Sequence, residues 1–201
     1  MNNNTLFLIC GESGSGKTTL VSALEKQHNL IPIPSYTTRP PRSENEYGHI
    51  FVNDEAFLQL KNIVAYTQYN NCQYGATSEQ VDKYNLYIID KEGIEFFKKA
   101  YRGKKSIKVI YIKSSISTRV ERMEQRFIKD SNLDIEHLSS QDINSIFINF
   151  GKIMERITTD DREFAGIQSL ADKIIENQNN TPFQDVVRQA YEFIRKENAS
   201  E

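Results

Sequence analysis

Short, continuous apolar runs alternate along the chain with segments whose apolar residues recur every three or four positions. The runs at 6–10, 86–89 and 107–112 end at a glycine or a polar residue, and they are typical of strands buried on both faces. A fourth, shorter strand is predicted at Lys173–Glu176. Because buried strands that alternate with helices pack between them, the pattern predicts a parallel sheet with helices on both faces.

Helical spacing follows most of these runs. One helix is predicted to begin at Lys17, and the last to begin with Thr181 as N-cap and Pro182 as first residue and to end near Lys196. Further helices are predicted at 54–60, 78–83, 91–100, 117–127 and 143–161.

Two segments, 35–85 and 127–152, depart from this alternation. The first begins with a Pro- and Arg-rich stretch and contains a predicted strand pair, 63–69 and 73–76, around two asparagines. The second begins with weak periodicity and many polar residues. No repeat or linker divides the chain, so we predict one domain with two insertions that can move relative to its core. The predicted core consists of 1–34, 86–126 and 153–201.

The length of 201 residues suits one domain with a sizeable core. The 25 basic and 27 acidic residues give a net charge of −2, which excludes a general attraction to nucleic acid or to an anionic membrane. Cations that bind an anionic ligand must therefore be concentrated locally. The first apolar run is too short for a signal peptide, and the two cysteines form no disulfide framework, so we expect a cytoplasmic protein.

The segment after the first strand, Gly11-Glu-Ser-Gly-Ser-Gly16-Lys17-Thr18, matches the phosphate-binding pattern G-x-x-x-x-G-K-[ST] at every position and precedes a helix. Glycines let backbone N–H groups approach phosphate oxygens, the lysine reaches the β- and γ-phosphates, and the threonine hydroxyl ligates Mg²⁺. A glycine-rich turn that merely contains a lysine is the alternative, and the complete match in its required context argues against it. The pattern therefore predicts a bound nucleoside triphosphate with Mg²⁺. The predicted nucleotide-binding residues are Gly11, Ser13, Gly14, Ser15, Gly16, Lys17, Thr18 and Thr19.

Two arginines flank two prolines in the segment Ser35-Tyr-Thr-Thr-Arg39-Pro-Pro-Arg42. The prolines fix φ and stiffen the backbone, and two guanidinium groups on a stiff chain have suitable geometry for a phosphate. On charge alone, an exposed Pro-rich loop with incidental arginines explains the same residues at least as well.

A phosphate-binding loop followed by S-x-T-T-R-x-P-R resembles the guanylate kinase family, and the resemblance covers most of the chain. Several further stretches match the family pattern. They are Tyr74-Gly75, Ile89-Asp90-Lys-Glu-Gly93, the arginines Arg122, Arg126 and Arg156, and Ala171-Asp172-Lys-Ile-Ile-Glu-Asn177.

The resemblance implies a three-layer α/β P-loop fold and a kinase that transfers a phosphoryl group from ATP, with Mg²⁺, to a nucleoside monophosphate. It implies that 35–85 binds the nucleoside monophosphate and that 127–152 is a lid. The implied catalytic residues are Lys17, Arg39, Arg42, Arg122, Arg126 and Arg156. The implied acceptor-binding residues are Ser35, Arg39, Arg42, Tyr74 and Asp90, and the implied metal ligands are Thr18 and Asp90.

Elementary electrostatics supports these roles independently. Two phosphate-bearing substrates repel each other, so phosphoryl transfer needs cations on both sides of the reaction. Asp90 ends a buried strand, where a carboxylate is costly unless it is paired with a metal or water. Arg122 and Arg126 are four residues apart and share one helix face. The alternative for this pair is a solvated charged face, since Glu121 and Glu124 lie beside them.

The departures from the family pattern concern the acceptor base. The family's guanine-reading glutamate corresponds to Ala65, and the hydroxyl residue expected after Tyr-Gly is Ala76. Gln68 is the nearest candidate replacement, and its amide could suit several bases. Ser35, another base contact of the family, is retained. The family's tyrosine downstream of the second arginine has no clear match, and the lid is unusually long.

The leading hypothesis is therefore an ATP-dependent kinase that converts GMP or dGMP into GDP or dGDP. The second is the same chemistry on a different or modified (deoxy)nucleoside monophosphate. The third is a non-catalytic guanylate-kinase-like binding module, against which the intact Lys17 and Thr18 argue. We expect a monomer or a homodimer whose partner is the nucleoside monophosphate substrate, with no nucleic-acid or membrane partner.

Overall fold

Two four-stranded sheets position the candidate site. The computed structural model describes residues 4–41, 44 and 46–199. Within these residues the strands are β1 (Thr5–Cys10), β2 (Ser35–Thr37), β3 (His49–Phe51), β4 (Ile63–Tyr69), β5 (Cys72–Thr77), β6 (Leu86–Ile88), β7 (Ser106–Lys113) and β8 (Lys173–Glu176). The helices are α1 (Lys17–His28), α2 (Asp54–Leu58), α3 (Ser78–Lys83), α4 (Lys91–Ala100), α5 (Ile116–Asp130), α6 (Ser140–Glu163) and α7 (Phe183–Ala199).

The first sheet is parallel and has the strand order β6-β1-β7-β8. Because successive side chains of a strand point to opposite faces, β1 contributes to two separate clusters of the core. Phe7 and Ile9 pack with residues of α1 and α7, whereas Leu6 and Leu8 pack with residues of α4 and of the second sheet. The predicted parallel sheet between two helix layers is confirmed.

The second sheet is built by the segment 35–85 and has the order β3-β2-β5-β4. β4 and β5 form the predicted hairpin, which turns at Asn70 and Asn71. Both asparagines have positive φ, 48° and 58°, as a tight two-residue hairpin turn requires, and asparagine tolerates this conformation better than most residues. Val64 and Ala65 of β4 are buried in the same cluster as residues of α4, so this sheet packs directly on the core.

The boundaries of several helices differ from the prediction by a few residues. α5 continues to Asp130, and the connection to α6 is correspondingly shorter, because α6 already begins at Ser140. α7 begins at Phe183 and not at Pro182. The hydroxyl of Thr181 accepts a hydrogen bond from the backbone N–H of Gln178, so it closes the preceding turn.

The helical spacing predicted for α6 is present, but the environment changes along the helix. Ile153 and Ile157 are buried against the core, whereas Phe147 and Phe150 are exposed. The buried face continues to Asp160, whose side chain is fully buried. Among the residues described, no helix is long and apolar enough to cross a membrane.

Candidate active site

The phosphate-binding loop connects β1 to α1 and packs tightly against α5 and the segment after β8. Gly14 and Gly16 adopt positive φ, 79° and 95°. A Cβ at Gly14 would lie 2.8 Å from the carbonyl oxygen of Arg119, and one at Gly16 would lie 2.5 Å from Nδ2 of Asn177. Glycine is therefore required at both positions, and the loop ends at the N-terminus of α1, where the helix dipole favours an anion.

The side chain of Lys17 folds back over the loop. Its Nζ donates to the carbonyl oxygens of Gly11 (2.6 Å) and Glu12 (2.9 Å). Burial lowers the pKa of Lys17 to about 8, and the nearby carboxylate of Asp160 opposes part of this effect. An amine held in this poorly solvated position interacts strongly with phosphate oxygens.

The lowered pKa of Lys17 couples nucleotide binding to proton uptake. At pH 8 about half of the molecules carry a neutral amine, and phosphate favours the charged form, so binding of ATP with Mg²⁺ should take up about half a proton. At pH 7 the amine is already mostly charged, and uptake should fall to about a tenth of a proton. Calorimetric titration in buffers of different ionisation enthalpy measures the uptake. Lys17→Arg, which stays charged at both pH values, should bind without it, and equal uptake by this variant would contradict the prediction.

A buried carboxylate joins the loop to two arginines. Oδ2 of Asp160 accepts from the backbone N–H of Ser13 (2.7 Å) and from Nη2 of Arg119 (2.8 Å). Its Oδ1 lies 2.9 Å from Nε of Arg156. Arg119 also donates from Nε to the carbonyl oxygen of Ser13. The loop, α5 and α6 are therefore connected through a single ion cluster.

The sequence pattern did not single out Arg119 or Asp160. Arg119 lies in a charge-dense stretch, and the tertiary structure alone shows that it is 2% exposed. The sequence does indicate that Asp160 is buried, because this residue continues the helical spacing of the apolar residues Ile153 and Ile157. A carboxylate on a buried helix face requires a partner, so this position could have been recognised from the sequence.

The two arginines predicted on α5 differ in their surroundings. Arg122 donates from Nη1 to the carbonyl oxygen of Gly14 (3.3 Å) and from Nη2 to Oδ1 of Asn177 (3.3 Å). Arg126 lies one turn further along the helix and is exposed. The structure thus brings Arg122 to the loop and leaves Arg126 on the surface of α5.

A cavity of about 450 Å³ opens between the loop, the second sheet and α4. Arg156 projects into it, with its guanidinium 4.1 Å from the ring centroid of Tyr69 and its Nε donating to the hydroxyl of Ser13 (2.7 Å). Residues predicted for the nucleoside triphosphate and for the acceptor line this one cavity. They are Gly11, Lys17, Thr18, Ser35, Gln68, Tyr74, Asp90 and Arg156.

The two predicted metal ligands, Thr18 and Asp90, share the cavity wall. Thr18 and Thr19 are exposed on the first turn of α1, whereas Ser15 is fully buried. Asp90 is the N-cap of α4, and its Oδ1 accepts from the backbone N–H of Gly93 (2.7 Å). In the part of the chain that the structure describes, no group of three or more His, Cys, Asp or Glu side chains could hold a metal ion. A hydroxyl and a carboxylate beside phosphates nevertheless fit Mg²⁺, which takes one or two protein ligands together with substrate phosphates and water.

Arg39, predicted to hold the acceptor phosphate, is oriented by an ion pair. Its Nη2 and Nη1 lie 2.6 and 3.2 Å from the carboxylate oxygens of Glu46. The guanidinium also lies 5.5 Å from the ring centroid of Phe51. Arg42, the other predicted phosphate ligand of this segment, lies outside the described residues.

The cavity wall predicted to receive the acceptor base keeps some residues of the guanylate kinase family pattern and lacks others. Oγ of Ser35 lies 3.1 Å from Nδ1 of His49, and the rings of His49 and Tyr74 meet edge-on with their centroids 6.1 Å apart. Ala65, the position of the family's guanine-reading glutamate, is 1% exposed in the core. Gln68 is exposed and lines the cavity. At these two positions β4 offers the base an amide but no carboxylate.

This chain is similar in sequence to known proteins. A family model described as guanylate kinase matches residues 3–155. A guanylate kinase of Legionella pneumophila (strain Paris) is 28% identical over 180 residues, which cover 83% of this chain and 84% of that protein. A guanylate kinase of Neisseria gonorrhoeae (strain ATCC 700825 / FA 1090) is 40% identical over 83 residues, which cover 38% of this chain and 40% of that protein.

The fold is also shared with a solved structure. The crystal structure of guanylate kinase from Anaplasma phagocytophilum matches with a TM-score of 0.63 and 18% sequence identity. The match covers 96% of this chain and 86% of that chain. The guanylate kinase family model spans most of this chain, including the complete phosphate-binding loop. This chain therefore belongs to the guanylate kinase family.

Proposed function

We propose that this protein transfers the γ-phosphoryl group of ATP to GMP, forming ADP and GDP, with Mg²⁺ as the metal ion. The observation that carries the proposal is the single cavity in which Lys17 of the phosphate-binding loop faces Ser35 and Tyr74 of the second sheet. Two nucleotides bound on these opposite walls would meet at their phosphates. Membership in the family supports the reaction class.

On the ATP side, the loop would hold the β- and γ-phosphates. Lys17 would exchange its hydrogen bonds to loop carbonyl oxygens for bonds to phosphate oxygens. Arg122 and Arg156 reach the loop from α5 and α6, so their guanidinium groups are suited to stabilise charge on the transferring group. Mg²⁺, when bound, would neutralise phosphate charge, with Thr18 and Asp90 as its protein ligands.

On the acceptor side, Arg39, Arg42 and Tyr74 would hold the phosphate of GMP. The pair with Glu46 restricts the Arg39 side chain, which reduces the entropy lost when a phosphate binds. We propose that 35–85 is the acceptor-binding region and 127–152 the lid. Closure of both over the cavity would exclude water and align the two substrates.

Product formation from labelled ATP, measured over a panel of ribo- and deoxynucleoside monophosphates, tests the proposal. GMP should be converted to GDP. Arg39→Ala should raise the KM for GMP by about 10- to 100-fold, because a charged hydrogen-bonded contact to phosphate is lost, and should change the KM for ATP much less. Arg195→Ala, which removes an exposed arginine of α7, is the matched control and should leave both KM values unchanged.

Two other results would favour the competing hypotheses. Turnover confined to a different (deoxy)nucleoside monophosphate would support the second hypothesis. That hypothesis is favoured by Ala65, because its buried methyl group offers no carboxylate to guanine. Tight binding of a protein partner with no turnover on any acceptor would support the binding module and contradict the proposed kinase activity.

A further inference from the structure

Several glutamates line the cavity but have no role in the mechanism above. They are Glu25, Glu92, Glu95 and Glu163. Two of them are engaged by neighbours away from β4. Glu25 accepts from the hydroxyl of Tyr47 (2.5 Å), and Glu95 pairs with Lys91 one turn earlier on α4 (3.7 Å).

Glu163 and Glu92 reach the cavity from different elements. Glu163 ends α6, one turn after Asp160, and burial raises its pKa, an effect that the charge of Arg156 opposes. Glu92 faces the second sheet. Its Oε2 accepts a long hydrogen bond, 3.4 Å, from the hydroxyl of Thr67 on β4.

The position of Glu92 relative to β4 is maintained by packing. It lies in the first turn of α4, and the rings of Phe96 on α4 and Tyr66 on β4 contact each other with centroids 6.1 Å apart. Glu92, Thr67 and Gln68 therefore line the same wall of the cavity. Glu92 brings a carboxylate to this wall from the helix opposite β4.

We infer that Glu92 reads the acceptor base and selects guanine, an inference that rests on the kinase function proposed above. The Watson–Crick edge of guanine presents two adjacent donors, N1–H and the 2-amino group, and one carboxylate can accept from both. Adenine and cytosine present an unprotonated ring nitrogen at the corresponding position, which a carboxylate repels. Uracil and thymine present a single N–H between two carbonyl oxygens. In this chain α4 thus supplies the charge that β4 lacks at Ala65.

The test compares GMP with inosine monophosphate, which lacks the 2-amino group, as acceptors for the wild-type enzyme and two variants. For the wild type, kcat/KM should be about 10- to 100-fold higher with GMP, because one charged hydrogen bond is lost with the amino group. Glu92→Gln should lower kcat/KM for GMP by about 100-fold, mainly through KM, and bring the ratio of the two acceptors to within about threefold of one. Glu95→Gln should keep the wild-type ratio.

The possible outcomes separate this inference from the proposed function. An unchanged ratio in Glu92→Gln, or loss of the ratio in Glu95→Gln instead, would overturn the inference and leave the kinase activity in place. Absence of GMP phosphorylation by the wild-type enzyme would overturn both. Glu92 and Glu95 are both exposed, and glutamine has the same shape as glutamate. Glu92→Gln and Glu95→Gln should therefore unfold at the wild-type temperature. Glu92→Ala should show the same loss of discrimination.

Discussion

Replacing Lys17 with alanine should reduce the rate of phosphoryl transfer about a thousand-fold or more. Removing one preorganised donor from a transition state costs about 10²–10³ in rate, and Lys17 is a charged donor placed at the N-terminus of α1. The fold should remain intact. Because burial lowers the pKa of this amine to about 8, folding disfavours its charged form, so Lys17→Ala should not lower the free energy of unfolding at pH 7.

The matched control for Lys17 is Lys26 on the same helix. Lys26 is exposed near the end of α1, away from the phosphate-binding loop. Lys26→Ala should therefore keep the wild-type turnover measured with labelled ATP and GMP. Thermal unfolding of both variants shows whether a loss of activity reflects chemistry or folding. Turnover within tenfold of the wild type in Lys17→Ala would contradict the role of the loop in catalysis.

The central strand of the parallel sheet was predictable because all its residues are buried. The predicted bounds of β1 differ from the observed ones by a single residue, since a continuous apolar run needs no partner to be recognised. β8 has the predicted bounds, although only Ile175 of its four residues is buried. The end of α5 and the start of α7 were less predictable. Their boundaries depend on contacts outside the helix, as when the hydroxyl of Thr181 bonds to Gln178 and not to the first turn of α7.

The candidate site was predictable where its residues are adjacent in the chain. The phosphate-binding loop spans eight positions, so its glycines and Lys17 appear together in the sequence. Asp160 and its partners are not adjacent in the sequence. Arg119 lies 41 residues and Ser13 lies 147 residues from Asp160 along the chain. The contact between Glu92 and the second sheet could likewise not be predicted from the sequence. Its hydrogen bond with Thr67 depends on how α4 packs on β4.

Replacing Asp160 with alanine should have the largest effect on stability among substitutions at this site. The side chains of Asp160 and Arg119 are 0% and 2% exposed, so the variant would leave a buried guanidinium without its principal partner. Breaking a buried ion pair in this way costs about 3–5 kcal/mol in the free energy of unfolding. For a chain of this size, that loss corresponds to a decrease in Tm of roughly 10 °C.

The next residue in the chain provides the matched control. Asp161 also pairs with Arg119, with 3.3 Å between Nη1 and Oδ1, but its side chain is 50% exposed. An ion pair open to solvent on one side contributes about 1 kcal/mol or less. Asp161→Ala should therefore lower Tm by only about 3 °C in the same calorimetric scan. Equal losses in the two variants would contradict a special role for the buried carboxylate.

Asp160→Asn separates the charge of this residue from its hydrogen bonds. Asparagine keeps an oxygen that can accept from the backbone N–H of Ser13, but it does not neutralise Arg119 or Arg156. The loop should therefore keep its shape, and the KM for ATP should change little. Arg156 would lose the anion that holds it beside the loop, so kcat should fall by about tenfold, as expected when a positioned cation becomes mobile. A variant with wild-type kcat and a raised KM for ATP would show instead that Asp160 acts on the loop and not through Arg156.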